Sequence, residues 1–285
     1  MATAGISVEL IITVALLAYI PAILYAVLIR YVEKYDREPW GSIWVAFLWG
    51  ATMSVIIVTL VKGWFLLEVP NLYPDIASNS ATFYLYGDVL LIPLVAELTK
   101  VAGAYWVYED MVEAEDGLIY GTVIGLGYAA TKVLIYGISV GVLYGTEEVL
   151  SRVFIAMISL LLANAAITAV SVYGVSRVSA RKHTTKHSPF SAVPFFIAAF
   201  AMHALFSLVV NFGMYIFPEE YRGNFFMQNS LVVTLAVVYG IIIFIVVYVK
   251  IWRLDRLDEK AMREREQRRR RREMDPRAPP PRPPR

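Results

Sequence analysis

The sequence predicts an all-α fold: a polytopic bundle of about seven transmembrane helices, with the N-terminus outside and the C-terminus cytoplasmic. Three observations carry this. The 285 residues are 58% hydrophobic with a mean hydropathy of +0.57, above the roughly 45–50% apolar content of soluble domains. Seven apolar segments reach the roughly 20 residues that a 30 Å hydrocarbon core requires. Lysine and arginine concentrate in alternate loops, and more than half of them lie beyond residue 249, which orients the chain by the positive-inside rule.

The spans are expected near residues 6–30, 42–66, 82–108, 117–145, 150–176, 190–216 and 228–252. The first lacks a basic leader and an obvious cleavage site, so it reads as a permanent span and not a signal peptide. Pro21 and Pro93 fall inside spans one and three, where each removes a backbone donor and bends its helix. Gly121, Gly125 and Gly127 give span four a small-residue face suited to close helix contact. Arg30, Lys34 and Arg37 follow span one, and Arg177, Arg181, Lys182 and Lys186 follow span five. The alternate loops hold only Arg152 and Arg222. Residues 1–252 form the bundle and 253–285 a basic, Pro/Arg-rich cytoplasmic tail. Its arginine run, Arg268, Arg269, Arg270, Arg271 and Arg272, is a candidate site for anionic lipid headgroups. Acidic residues interleave upstream of the run, which disfavours nucleic acid, and "PRAPPPRPPR" is too proline-rich for a helix. His183 and His187 read as members of a solvated basic loop. The chain has no cysteine, which excludes disulfides and thiolate metal sites.

Four consecutive spans place a strong polar group near mid-length: Glu97, Lys132, Asn164 and His203. Ionisable groups in lipid are costly and face the bundle interior or one another, so a common depth points to one buried site. Its chemistry is open on the residues alone. Glu97 could be a general base or metal ligand, and His203 an acid, base or ligand. Lys100, three residues after Glu97, can pair with it on one helix face, and Lys132 can approach from the neighbouring helix. A buried ion-pair network that fixes helix register is the competing reading.

The motifs resemble those of the PrsW family of intramembrane proteases, related to the CAAX-protease and bacteriocin-processing superfamily. "YDREPWGSIWVAFLWG" (35–50) resembles the family's Asp-Arg-x-Glu-Pro lead into the second helix. "AELTK" (96–100) aligns with Glu-Glu-x-x-Lys, and "EDGLIYGTVIGLGYAATKV" (115–133) with the Asp-Gly-x-x-Tyr-Gly…Gly-Phe-Ala-x-x-Glu-Asn helix. "NAAITAVSVYG" (164–174) is similar to the helix that begins with a family histidine, and "HALFS" (203–207) to His-Ala-Leu-x-Asn. The resemblance runs from about residue 20 to 215.

The departures fall on the chemical positions. Ala96 stands for the first glutamate, Lys132 and Val133 for the helix-four Glu-Asn, Asn164 for the helix-five histidine and Ser207 for the closing asparagine. Glu97, Lys100 and His203 remain. The resemblance implies a multi-pass protein of a prokaryotic cell membrane. Glu97 and His203 would be its catalytic remnant; Lys100, Lys132, Asn164, Ser207 and Ala96 would be site remnants or ion-pair structure. A catalytic zinc takes three protein ligands and an open position, and Glu97 and His203 offer two. The expectation is therefore a catalytically impaired pseudoprotease with no cofactor, in which Glu97 faces Lys100 and Lys132. It would bind or stabilise a membrane-protein partner, such as a single-span protein, through the former active-site groove. The alternative is an active peptidase using Glu97 and His203, with a divalent metal such as zinc. A transporter or channel ranks last, since the halves show no inverted repeat.

Overall fold

The computed structural model describes residues 7–32, 37–144, 149–180, 189–211 and 234–246, with residues 248, 249, 252, 253, 256, 259, 260, 263, 264 and 267. Among these every regular element is helical. Six helices are long and apolar enough to cross a membrane, and the protein is an integral, multi-pass membrane protein. They are α1 (Val8–Val32), α2 (Trp40–Leu72), α3 (Ser80–Asp110), α4 (Asp116–Tyr144), α5 (Val149–Ala180) and α6 (Val193–Asn211). A seventh apolar helix, α7 (Thr234–Val246), is shorter than a span within the described residues. His183, His187 and the arginines 268–272 lie outside them.

The sequence pattern of α1 is that of a helix dissolved in lipid. Val14, Ala18, Ala22 and Ala26, four residues apart, are fully or almost fully buried, while Leu16, Ile20, Leu24 and Leu28 are about half exposed. With no water to escape, small side chains go inward to let backbones approach and large apolar ones face the acyl chains. The inward stripe meets α4, where Gly137 lies against Val14 and Gly141 against Leu10.

Helix α4 is the centre of the bundle and packs on α1, α2 and α5. Its glycines decide the spacing. Gly117, Gly121 and Gly125 sit at four-residue intervals against α5, and a Cβ at Gly125 would collide with the Asn164 carbonyl. On the opposite side Gly127 abuts the Phe47 carbonyl of α2. Two helices depart from regular winding. In α2 a π-helical turn spans Gly50–Ser54, where Gly50 presses on the Ile124 carbonyl of α4. In α3 a π-helical segment, Leu85–Leu91, ends two residues before Pro93, whose missing N–H the widened turn accommodates.

The predicted end of α2 falls six residues short, between one and two turns, and the predicted bounds of α3 fall two residues short at each end. Helix α2 continues past residue 66 because Val69 is still buried, although Glu68 and Pro70 break the apolar run.

Candidate functional site

Lys100 follows Glu97 by three residues on α3, so both project to one face, and that face is turned into the bundle. Lys100 Nζ lies 2.5 Å from Glu97 Oε1, with neither side chain exposed. The same oxygen contacts His203 Nδ1 of α6 at 2.7 Å. From α5, Asn164 Oδ1 accepts a hydrogen bond from Lys100 Nζ at 3.1 Å, and its amide nitrogen donates to the Leu160 carbonyl at 3.0 Å. The Lys100 ammonium also sits 4.9 Å from the centroid of the Tyr128 ring on α4, a cation–π distance. Four helices thus converge on one ammonium and one carboxylate.

The surrounding packing fixes this geometry. Trp49 Nε1 donates to the Thr99 carbonyl at 2.9 Å, which ties α2 to α3 between Glu97 and Lys100, and Gly103 leaves room for the Trp49 ring. Gly125 brings the Asn164 backbone close to α4. Glu97 Oε2 is buried without a hydrogen-bond partner.

Of the residues expected at the site, Glu97, Lys100, Asn164 and His203 meet. Lys132 does not join them: among the described residues Glu97 pairs with Lys100 and His203, and the expected Glu97–Lys132 contact is not formed. Lys132 lies within electrostatic reach of His203, Lys62 and Asp88, and the last two pair with each other at 2.7 Å. The physical reason is competition. Lys100 reaches Glu97 along its own helix, and Asp88 on α3 offers Lys132 a second carboxylate. Ala96 is buried in an apolar cluster with Val55, Val58, Ile92 and Tyr128, so an apolar wall stands where the resembled motif has its first glutamate. Ser207 is half-buried on α6, with its carbonyl 3.5 Å from the Tyr84 hydroxyl.

Sequence reasoning missed a second polar assembly near the α4 N-terminus. Glu38 is 3% exposed, accepts a hydrogen bond from the Tyr120 hydroxyl, and its carbonyl accepts from Arg30 Nε at 2.7 Å. Asp116 caps the preceding loop by accepting from the Glu113 N–H at 2.7 Å. The signal was available, since the segments that carry the resemblance, residues 36–39 (Asp-Arg-Glu-Pro) and 116–120 (Asp-Gly-Leu-Ile-Tyr), supply both partners. Lys62 and Asp88 were equally visible as charges inside spans two and three.

The donor set bears on a metal. Glu97 and His203 are two ligands, and among the described residues no group of three His, Cys, Asp or Glu side chains could hold an ion. The Lys100 ammonium already occupies the carboxylate oxygen that faces His203. A dication there would be repelled by that ammonium, so the residues do not fit a catalytic zinc, which takes three protein ligands. Residues 38–249 match the family described as PrsW family intramembrane metalloprotease. No curated protein and no solved structure matches the chain.

Proposed function

The chain belongs to the PrsW family of intramembrane metalloproteases, and from that premise we propose that it is a catalytically impaired member that holds a membrane-protein partner through the former active-site groove. The observation that carries this reading is the 2.5 Å contact between Lys100 Nζ and Glu97 Oε1 at zero exposure. Peptide hydrolysis needs an activated water and a group that stabilises the oxyanion. Here the one surviving carboxylate of the cluster spends an oxygen on an ammonium and a histidine. The apolar surroundings of Ala96 support the same conclusion. Partner binding is supported by the partly exposed Lys62–Asp88 pair inside the spans, with Lys132 as a further cation in its reach, because intramembrane charges normally face protein or a water-filled cavity and not lipid.

A second reading, an active peptidase that uses Glu97 and His203, is favoured by one observation: Glu97 Oε2 is buried without a hydrogen-bond partner and could hold a water. One experiment separates the two. The full chain is purified, co-purifying membrane proteins are identified, and each is incubated with it in detergent and in vesicles. The expected result is an intact co-purifying partner, with no product that distinguishes wild type from Glu97→Gln or His203→Ala. Cleavage that disappears in either variant overturns the pseudoprotease reading.

The location we propose is a prokaryotic cell membrane, N-terminus outside, with residues 253–285 as a cytoplasmic tail whose arginines 268–272 touch anionic headgroups. Cysteines introduced at Ser78 and Ser188 should then label from opposite sides of the membrane, and labelling of both from the same side would overturn this topology.

A further inference from the structure

A groove of about 460 Å³ runs between α4, α5, α6 and the C-terminal helical residues, lined by Leu118, Val170, Tyr173, Phe195, Ile245, Val246, Val249 and Arg253. That volume lies within the range of ligand pockets, roughly 300–1,000 Å³. Its place in the bundle follows from residue position. Leu118 stands in the first turn of α4, Tyr173 in the closing turns of α5 and Phe195 in the first turn of α6, so the groove opens at the end of the bundle that carries Arg30 and Arg37. The walls are aliphatic and aromatic, and Ile245 and Val246 are 54% and 63% exposed along them.

Two guanidinium groups border this apolar slot. Arg253 is one of its lining residues. Arg177 lies over two others, with its Cζ 5.9 Å from the Tyr173 ring centroid and 5.2 Å from that of Phe195. Among the described residues neither arginine has a carboxylate partner. An unpaired cation at the membrane boundary attracts an anion, and a guanidinium binds phosphate oxygens in a fork. An acyl-sized slot inside the bilayer, capped at its polar end by two unneutralised guanidiniums, matches an amphiphile with an anionic head.

We propose that this groove is a binding site for one anionic phospholipid, whose phosphate rests on Arg177 and Arg253 while an acyl chain lies along Val170, Ile245 and Val249. The site is separate from the Glu97 cluster and from the arginine run at 268–272, and it does not depend on whether the protein cuts peptides. Bound lipid would clamp α7 to α5 and α6, because the groove takes its walls from all three.

The probe is phosphatidylglycerol with a diazirine on an acyl chain, present at low fraction in phosphatidylcholine nanodiscs that contain the full chain. Photolabelled residues are mapped by mass spectrometry. Labelling should fall on the segments of Val170, Phe195 and Val249, and the phosphatidylcholine probe should label them far less. The Arg177→Gln/Arg253→Gln variant should lower that labelling about thirtyfold, from a roughly fivefold contribution of each basic residue near an anionic headgroup. Val170→Trp, which fills the slot and keeps both arginines, should lower it as well. Circular dichroism on each variant confirms that the helices are retained. Equal labelling by both probes, or labelling unchanged in the arginine variant, would mean ordinary annular lipid and overturn the proposal. So would a co-purified polypeptide in the groove that excludes the probe.

Discussion

Glu97 and Lys100 stand 2.5 Å apart with no exposed side-chain surface, whereas Lys62 and Asp88 stand 2.7 Å apart with 42% and 33% of theirs exposed. The chemistry of the two pairs is the same and their surroundings are not. The inner pair is enclosed by four helices and shares its charges with His203 and Asn164. The outer pair has Lys132 nearby as a second cation, so two positive groups face one carboxylate. Burial turns the first pair into a fixed part of the fold and leaves the second able to exchange partners. A protease site needs its carboxylate free to meet water or metal, and Glu97 Oε1 is already taken by Lys100 and His203.

The comparison is broken most easily at the inner pair. Removing one partner of a buried ion pair strands the other charge and typically costs about 3–5 kcal/mol. Lys100→Met should cost that much in denaturant unfolding of the micelle-embedded protein, and adding Glu97→Gln should return most of the loss. If the two losses add, the pair contributes nothing of its own. Asn164→Ala comes next. It removes an acceptor from a buried ammonium, and hydrogen bonds to charged groups are worth roughly 1.5–3 kcal/mol. A loss below about 0.5 kcal/mol in the same unfolding assay would remove Asn164 from the lock.

The outer cluster should respond weakly. Lys62→Met is expected to cost at most about 1 kcal/mol, as for other partly exposed pairs, and a loss as large as that of Lys100→Met would erase the distinction between the clusters. Smallest of all is the cross-term. Lys132→Met and Glu97→Gln should be additive within roughly 0.5 kcal/mol, because Lys132 makes no ion pair with Glu97. A larger coupling would restore the contact that equal depth suggested.

That last pair shows what the sequence could and could not say. Counting residues from the span ends located Glu97, Asn164 and His203 in one layer, and the structure brings all three together. Lys132 has the same depth but forms no ion pair with Glu97 among the described residues. Depth is one coordinate, and the count carried no information on which of two carboxylates, Glu97 or Asp88, an ammonium would find. The helices themselves were legible because about 20 consecutive apolar residues have few other solutions. Their inward faces were less so. In α1 the buried stripe is Val14, Ala18, Ala22 and Ala26, and hydropathy does not separate such residues from the leucines that face lipid. The link from Glu38 to Tyr120 is hidden for a related reason: the partners lie 82 residues apart on separate segments, and neither segment's pattern encodes which helix it meets.

The central claim is that Glu97 and His203 form a locked structural pair and not a metal centre, and the metal content of the protein tests it most directly. Wild type, Glu97→Gln and His203→Ala would be purified after zinc supplementation and chelator-free exchange, then measured by mass spectrometry of the metal. The account predicts far less than one zinc per chain in all three proteins. Roughly one zinc per chain in wild type, the stoichiometry of a catalytic site, lost in both variants, would contradict it.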